Sequence, residues 1–240
     1  TFTLNPNATL KTAHTQGING NTGSIRTANR YYNTASNYWY SGTATQAVGN
    51  GLPAIVNGLT IDNSSTTGVN LGDAITVNGA LTLLRGRLNL NGNLTLGADA
   101  TVEGTDFSTI KMINTGSHTI TKLGNSKDDF PIIIPMGREG AYTPFEIHSL
   151  NATSVAEGAS VTVQSMSSVA TGVPGNFPLN RHWITNTNGL SGSILANVSF
   201  GFDPADNPTG GVPSQYEISY KPLLSGEWAM PNGASPAGAN

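Results

Sequence analysis

Between residues 59 and 96 the chain repeats an apolar–polar–apolar triplet. Leu59-Thr60-Ile61, Val69-Asn70-Leu71 and Ile75-Thr76-Val77 are followed by Leu81-Thr82-Leu83, Leu88-Asn89-Leu90 and Leu94-Thr95-Leu96, at offsets of 22, 19 and 19 residues. An interval near 20 residues is the period of a solenoid. Each triplet turns two apolar side chains one way and a Thr or Asn the other, as a half-buried strand does. Gly68, Asn78-Gly79 and Asn91-Gly92 supply corners between them. The pattern predicts three strands per coil, with coils stacked in parallel. It extends forward to Thr101-Val102-Glu103, Ile110-Lys111-Met112 and His118-Thr119-Ile120, and backward to Tyr38-Trp39-Tyr40, Gln46-Ala47-Val48 and Ala54-Ile55-Val56. Roughly four coils follow from this register.

A rival reading makes Asn78-Gly79 a two-residue hairpin turn, because Asn-Gly tolerates positive φ. Asn57-Gly58, Asn78-Gly79 and Asn91-Gly92 lie 21 and then 13 residues apart. A hairpin meander would space its turns evenly at about 8–12 residues, whereas three strands per coil explain both gaps.

Less regular strand-like pieces precede this stretch: Phe2-Thr3-Leu4, Ala8-Thr9-Leu10 and Ser24-Ile25-Arg26. After residue 124 the texture changes to longer, separated runs at 130–136, 143–147, 160–164, 181–185, 193–202, 216–220 and 227–230. Seven such runs joined by Gly, Pro, Asn and Ser predict an immunoglobulin-like β-sandwich, with Trp183 in its core. The expected organisation is therefore all-β: a parallel β-helix-like solenoid over 1–124, a β-sandwich over 125–230, and a linker or tail over 231–240. Both termini read as cuts or linkers within something longer.

Composition narrows the function classes. Charged residues make up 10% of the 240, and the net charge is −3 with 11 Lys plus Arg scattered singly. Such a surface offers no basic stripe for nucleic acid or anionic lipid. No run reaches the ~18 apolar residues of a membrane span. The chain has no cysteine, which excludes disulfides and thiolate chemistry. Thr, Asn, Gly and Ser stand where helices would carry Lys and Glu, so almost no helix is expected.

Candidate chemistry is sparse. Polysaccharide-degrading β-helices need clustered carboxylates on one face, yet the triplets of 59–96 contain no acid, and Asp62, Asp73 and Asp99 fall at corners. Glu103 and Asp106 flank one loop. His14, His118, His148 and His182 are isolated, without metal-ligand spacing. Two groups remain as candidates. Asp203, Asp206 and Asn207 gather oxygen ligands in one loop suited to Ca²⁺, though without the alternation of an EF-hand. Tyr31, Tyr32, Tyr38, Trp39 and Tyr40 either stack against pyranose rings or pack the first coils.

The run 49–63, the triplets of 75–83 and 88–96, Phe130-Pro131 with Gly137, Tyr142-Thr143-Pro144 and 180–185 together resemble the repetitive cell-surface proteins and adhesins that Bacteroidota export through the type IX secretion system. The resemblance covers most of 1–230 and implies an exported, non-catalytic building block of a long surface protein or filament. It implies an extracellular or cell-surface location and partners that are further copies or neighbouring modules, arranged end to end. The alternatives are a carbohydrate-binding module acting through the Tyr31 to Tyr40 aromatics on surface glycans, and a β-helix polysaccharide-degrading enzyme. No cofactor is expected beyond the candidate calcium.

Overall fold

The computed structural model describes residues 1–124, 130–173, 175–222 and 227–229. Three parallel sheets wind around one interior for about four turns. The first sheet stacks Thr9–Thr12, Asn37–Tyr40, Gly58–Asp62, Ala80–Arg85 and Thr101–Glu103. The second stacks Gln46–Ala47, Val69–Asn70, Leu88–Asn89, Ile113–Asn114 and Met136–Arg138. The third begins Ile55–Val56, Ile75–Val77, Leu94–Leu96 and Ile120–Leu123.

The ladders match the triplet register. Leu59 pairs with Leu81, Val69 with Leu88 and Ile75 with Leu94. Asn78-Gly79 is a corner and not a hairpin, since its flanking strands lie in different sheets. The Gly79 N–H donates to the Asn57 carbonyl of the preceding coil at 2.7 Å. Gly86 turns another corner at φ 81°, and a Cβ there would run into the Asn63 carbonyl, which only glycine avoids.

Equal positions in successive coils form ranks. Tyr38, Leu59 and Leu81 stack inside the first sheet, Val69, Leu88, Ile113 and Met136 inside the second, and Ile75, Leu94 and Ile120 inside the third, all buried. In the second sheet the outward positions of the middle coils carry a neutral polar ladder. Asn89 donates to Asn70 Oδ1, and Asn114 to Asn89 Oδ1, each at 3.0 Å. At the first coil, buried Gln46 donates to the Thr12 and His14 carbonyls and accepts from Gly42 N–H. The segment 13–29, which includes the expected Ser24-Ile25-Arg26 strand, forms turns instead. It crosses the start of the second sheet, where Ile18 donates to the Val48 carbonyl.

The last coil departs from the expected register by two or three residues. Leu88 pairs with Ile113 and Leu94 with Ile120, so Ile110-Lys111-Met112 and His118-Thr119-Ile120 do not begin the strands. A loop closed by the Ser108–Lys111 bridge adds residues at that corner and leaves Ile110 66% exposed. The excursion shifts the pattern without ending the stack.

Beyond residue 124 the structure differs from seven short strands in two sheets. The parallel ladder continues, Ile113 pairing with Met136 and Asn114 with Gly137. The chain then reverses through Glu139 and Gly140, both at positive φ, into Ala141–Tyr142. Two long antiparallel strands follow, Phe145–Met166 and His182–Phe200. The first of these pairs with Ile120–Leu123 through residues 160–163 and with Ile132–Ile134 through 145–147, so it seals the end of the third sheet. In place of an immunoglobulin-like sandwich, the described residues form a ribbon fused to the solenoid. Trp183 is half-buried and packs on Phe200 at 5.0 Å instead of lying between two sheets. The expected strand at 216–220 is reduced to a single bridge from Tyr220 to Ala229, after a 3-10 turn at Pro213–Gln215. Met230 and the expected tail 231–240 lie outside the described residues.

Candidate functional site

The aromatic residues do not assemble into one platform. The strand Asn37–Tyr40 alternates, so Tyr38 and Tyr40 point into the solenoid, 1% and 0% exposed, and Trp39 points out. The Tyr38 hydroxyl donates to the Asn33 carbonyl and that of Tyr40 to the Val48 carbonyl, each at 3.0 Å. Burial pushes both phenols above their ordinary pKa. Tyr32 is half-buried against the Phe2 ring at 5.8 Å, and Tyr31 is exposed on the short strand Arg30–Tyr31 that pairs with Phe2–Thr3. Of the five candidates for sugar stacking, Tyr31 and Trp39 alone keep an outward ring.

Trp39 belongs to a small network across four coils. Lys11 Nζ sits 3.9 Å from the centre of its indole ring, and its Nε1–H donates to Asp62 Oδ2 at 3.2 Å. Arg85 Nε donates to Asp62 Oδ1 at 2.6 Å. The Arg85 bond, followed by that from Trp39, holds the Asp62 carboxyl below its usual range despite partial burial. Asp62 is thus a strut tying three coils, with both oxygens occupied, where the sequence suggested a solvated corner. Glu103 accepts from Thr82 and Thr101 at 3.3 Å.

The Asp203, Asp206 and Asn207 loop is built around an internal ion pair. Arg181 grips Asp206 with two parallel bonds, Nε to Oδ2 at 3.0 Å and a terminal nitrogen to Oδ1 at 2.8 Å, and both side chains are buried. Asp206 Oδ2 also accepts from Asp203 N–H, while Asp203 Oδ1 caps the 3-10 turn Pro204–Asp206 through Ala205 N–H. A bidentate guanidinium takes the lone pairs a cation would need. The geometry makes the loop a pin fastening the segment after Phe200 to Arg181: Asp206 is committed to the guanidinium, while Asn207 Oδ1 is buried without a hydrogen-bond partner. Among the described residues, no group of three or more His, Cys, Asp or Glu is placed to hold a metal ion.

Two arrangements escaped the sequence reading. Glu146, His148 and Ser199 meet on the outer face of the long strands, beside a groove of about 430 Å³ lined by Val102, Ile132, Ile133 and Ile147. Ser199 Oγ is 2.7 Å and Glu146 Oε2 3.7 Å from the same His148 Nε2. A hydrolase relay needs the carboxylate on the other ring nitrogen, so the trio does not form one. Lys122 is the second. It occupies an inward rank with Val77, Leu96 and Val161, 4% exposed, and its ammonium donates to the Gly97 and Ala98 carbonyls at 2.6 and 2.5 Å. Desolvation lowers its pKa. Aligning Ile120 with Leu94 would have revealed it, since Lys122 then falls where Leu96 stands.

Comparison with family models, curated proteins and solved structures finds no match for this chain.

Proposed function

We propose that the chain is a non-catalytic structural and adhesive module of a secreted bacterial cell-surface protein or extracellular filament. The observation that carries this reading is the continuous ladder. Buried ranks run from Tyr38 to Leu81 in the first sheet and from Val69 to Met136 in the second, and the outward positions of the middle coils are Asn in the second sheet and Thr in the third. Such a stack binds each coil only to its neighbours and makes a rod. Low charge weakens repulsion between adjacent rods. The resemblance to type IX-exported surface proteins supports the same reading.

End-to-end contact with further copies or neighbouring modules belongs to this proposal. The first sheet begins at Thr9–Thr12 and stops at Thr101–Glu103, each paired on one side among the described residues. Unpaired strand edges accept another strand. A head-to-tail contact of this kind need not close and can propagate. The net charge of −3 favours neither nucleic acid nor an anionic bilayer, and no helix among the described residues is long and apolar enough to cross a membrane.

The glycan reading retains Trp39, whose ring faces outward beside Lys11. Binding on a glycan array that disappears in Trp39→Ala would favour it. Immunogold electron microscopy of intact cells, with antibodies to these 240 residues, tests the leading reading. Label on fibres or on the outer surface is expected, and label confined to the cell interior would contradict it.

A further inference from the structure

The strand His182–Phe200 is the last of its sheet. It pairs with Phe145–Met166 on one side, and its other edge has no strand among the described residues. At 19 residues it is the longest free edge described. Natural edges of this length are normally blunted by Lys, Pro or inward charge. This one has no Asp, Glu, Lys, Arg or Pro anywhere along it. Large apolar side chains along it are exposed, with Ile184 at 40%, Ile194 at 42% and Leu195 at 70%. Gly189 and Gly192 take φ 69° and 78° where the ribbon bulges, and a Cβ at either would press on Ala159 or Thr153 of the strand already paired, so the missing side chains serve the ribbon itself.

We propose that this edge pairs antiparallel with the same edge of a second copy, about a two-fold axis between Gly189 and Leu190. The sequence is self-complementary in that register. Ile184 of one copy opposes Leu195 of the other, Thr185 opposes Ile194, and Asn188 opposes Ser191. Each is an apolar, β-branched or neutral-polar pair of the kind that stabilises sheets. The run 183–200 also lacks charge, so one edge meets its copy without repulsion. A stable interface engages about 20–30 residues a side, a size the 19-residue edge approaches on its own. The contact is isologous and closes at two copies, which separates it from the open end-to-end stacking proposed above and makes it independent of that reading.

The chain has no cysteine, so engineered thiols report this pairing without background. Protein carrying Ile184→Cys is mixed with protein carrying Leu195→Cys under mild oxidation. The mixture is expected to give disulfide dimers and either protein alone none, because equal positions would lie roughly 36 Å apart across the axis. In light scattering, Leu195→Lys is expected to weaken the dimer by about tenfold or more, since each copy loses a buried leucine, while circular dichroism remains that of the parent. A monomer at high concentration, equal cross-linking by either protein alone, or a dimer indifferent to Leu195→Lys would overturn the proposal. Growth into longer polymers with no thiol pairing would also overturn it while leaving end-to-end assembly standing.

Discussion

Leu81 and Leu84 lie three residues apart on one strand and face opposite environments, 0% and 44% exposed. Leu81 stacks on Leu59 below and Val102 above. Its neighbours are held by backbone ladders on both sides, so the cavity left by Leu81→Ala cannot collapse. The loss should therefore be about 3–4 kcal/mol, in the upper part of the range for buried leucines. In a protein of this size that lowers the melting temperature by on the order of 10 °C. Leu84→Ala removes a side chain already half in water and should cost less than about 1 kcal/mol. Leu81→Asp should abolish folding, because an unpaired buried charge costs several kcal/mol. Urea denaturation monitored by circular dichroism measures all three. Similar losses for Leu81→Ala and Leu84→Ala, or parental stability for Leu81→Asp, would refute the inward register.

Arg181→Met strands the Asp206 carboxylate in a buried site and should cost about 3–5 kcal/mol, much of it restored in Arg181→Met/Asp206→Leu; thermal melts of both variants test this. Because Arg181 occupies the Asp206 oxygens, millimolar Ca²⁺ should leave the melting temperature unchanged, and a saturable rise would show that the loop binds the ion. The folded pKa of Asp62 lies below its unfolded value, so the unfolded chain binds more protons in that interval. The stabilisation is present at neutral pH and is lost as pH falls through the folded value. Acid titration of stability should accordingly show the advantage of the parent over Asp62→Asn shrinking below about pH 4. Lys122 has the same direction of shift at the alkaline end, so stability gains as pH rises from its folded pKa toward about 10.4. Lys122→Met should lose that gain in melts taken across the alkaline range.

The coils from Leu59 to Leu96 were legible because each triplet carries its own inside and outside, and stacking demands equal spacing. The alternation of Tyr38, Trp39 and Tyr40 was equally readable and already separates core from surface. Residues 151–158 and 191–197 were not, since that part of the ribbon is exposed or half-exposed throughout and its Asn, Ser and Gly carry no apolar period. Those positions resemble loops until their partners are known. The ladder across residue 124 was hidden by the Ser108–Lys111 excursion, which displaces Ile113 from the expected register. The Arg181–Asp206 pin joins residues 25 apart, a separation that no local spacing rule marks. Asp203, Asp206 and Asn207 therefore looked like a ligand set when one member was committed to a guanidinium.

Native-state amide hydrogen exchange tests the central claim, that one continuous ladder holds the module together from the first coils through the closing strands. The amides of Leu71, Leu90 and Thr115, which bridge successive coils of the second sheet, donate to the Asn89, Asn114 and Gly137 carbonyls. They should exchange together with Ile113, Val161 and Val163 in a single cooperative opening at the global unfolding free energy. Two separate openings, one for residues up to 124 and another for residues from 130 onward, would contradict it.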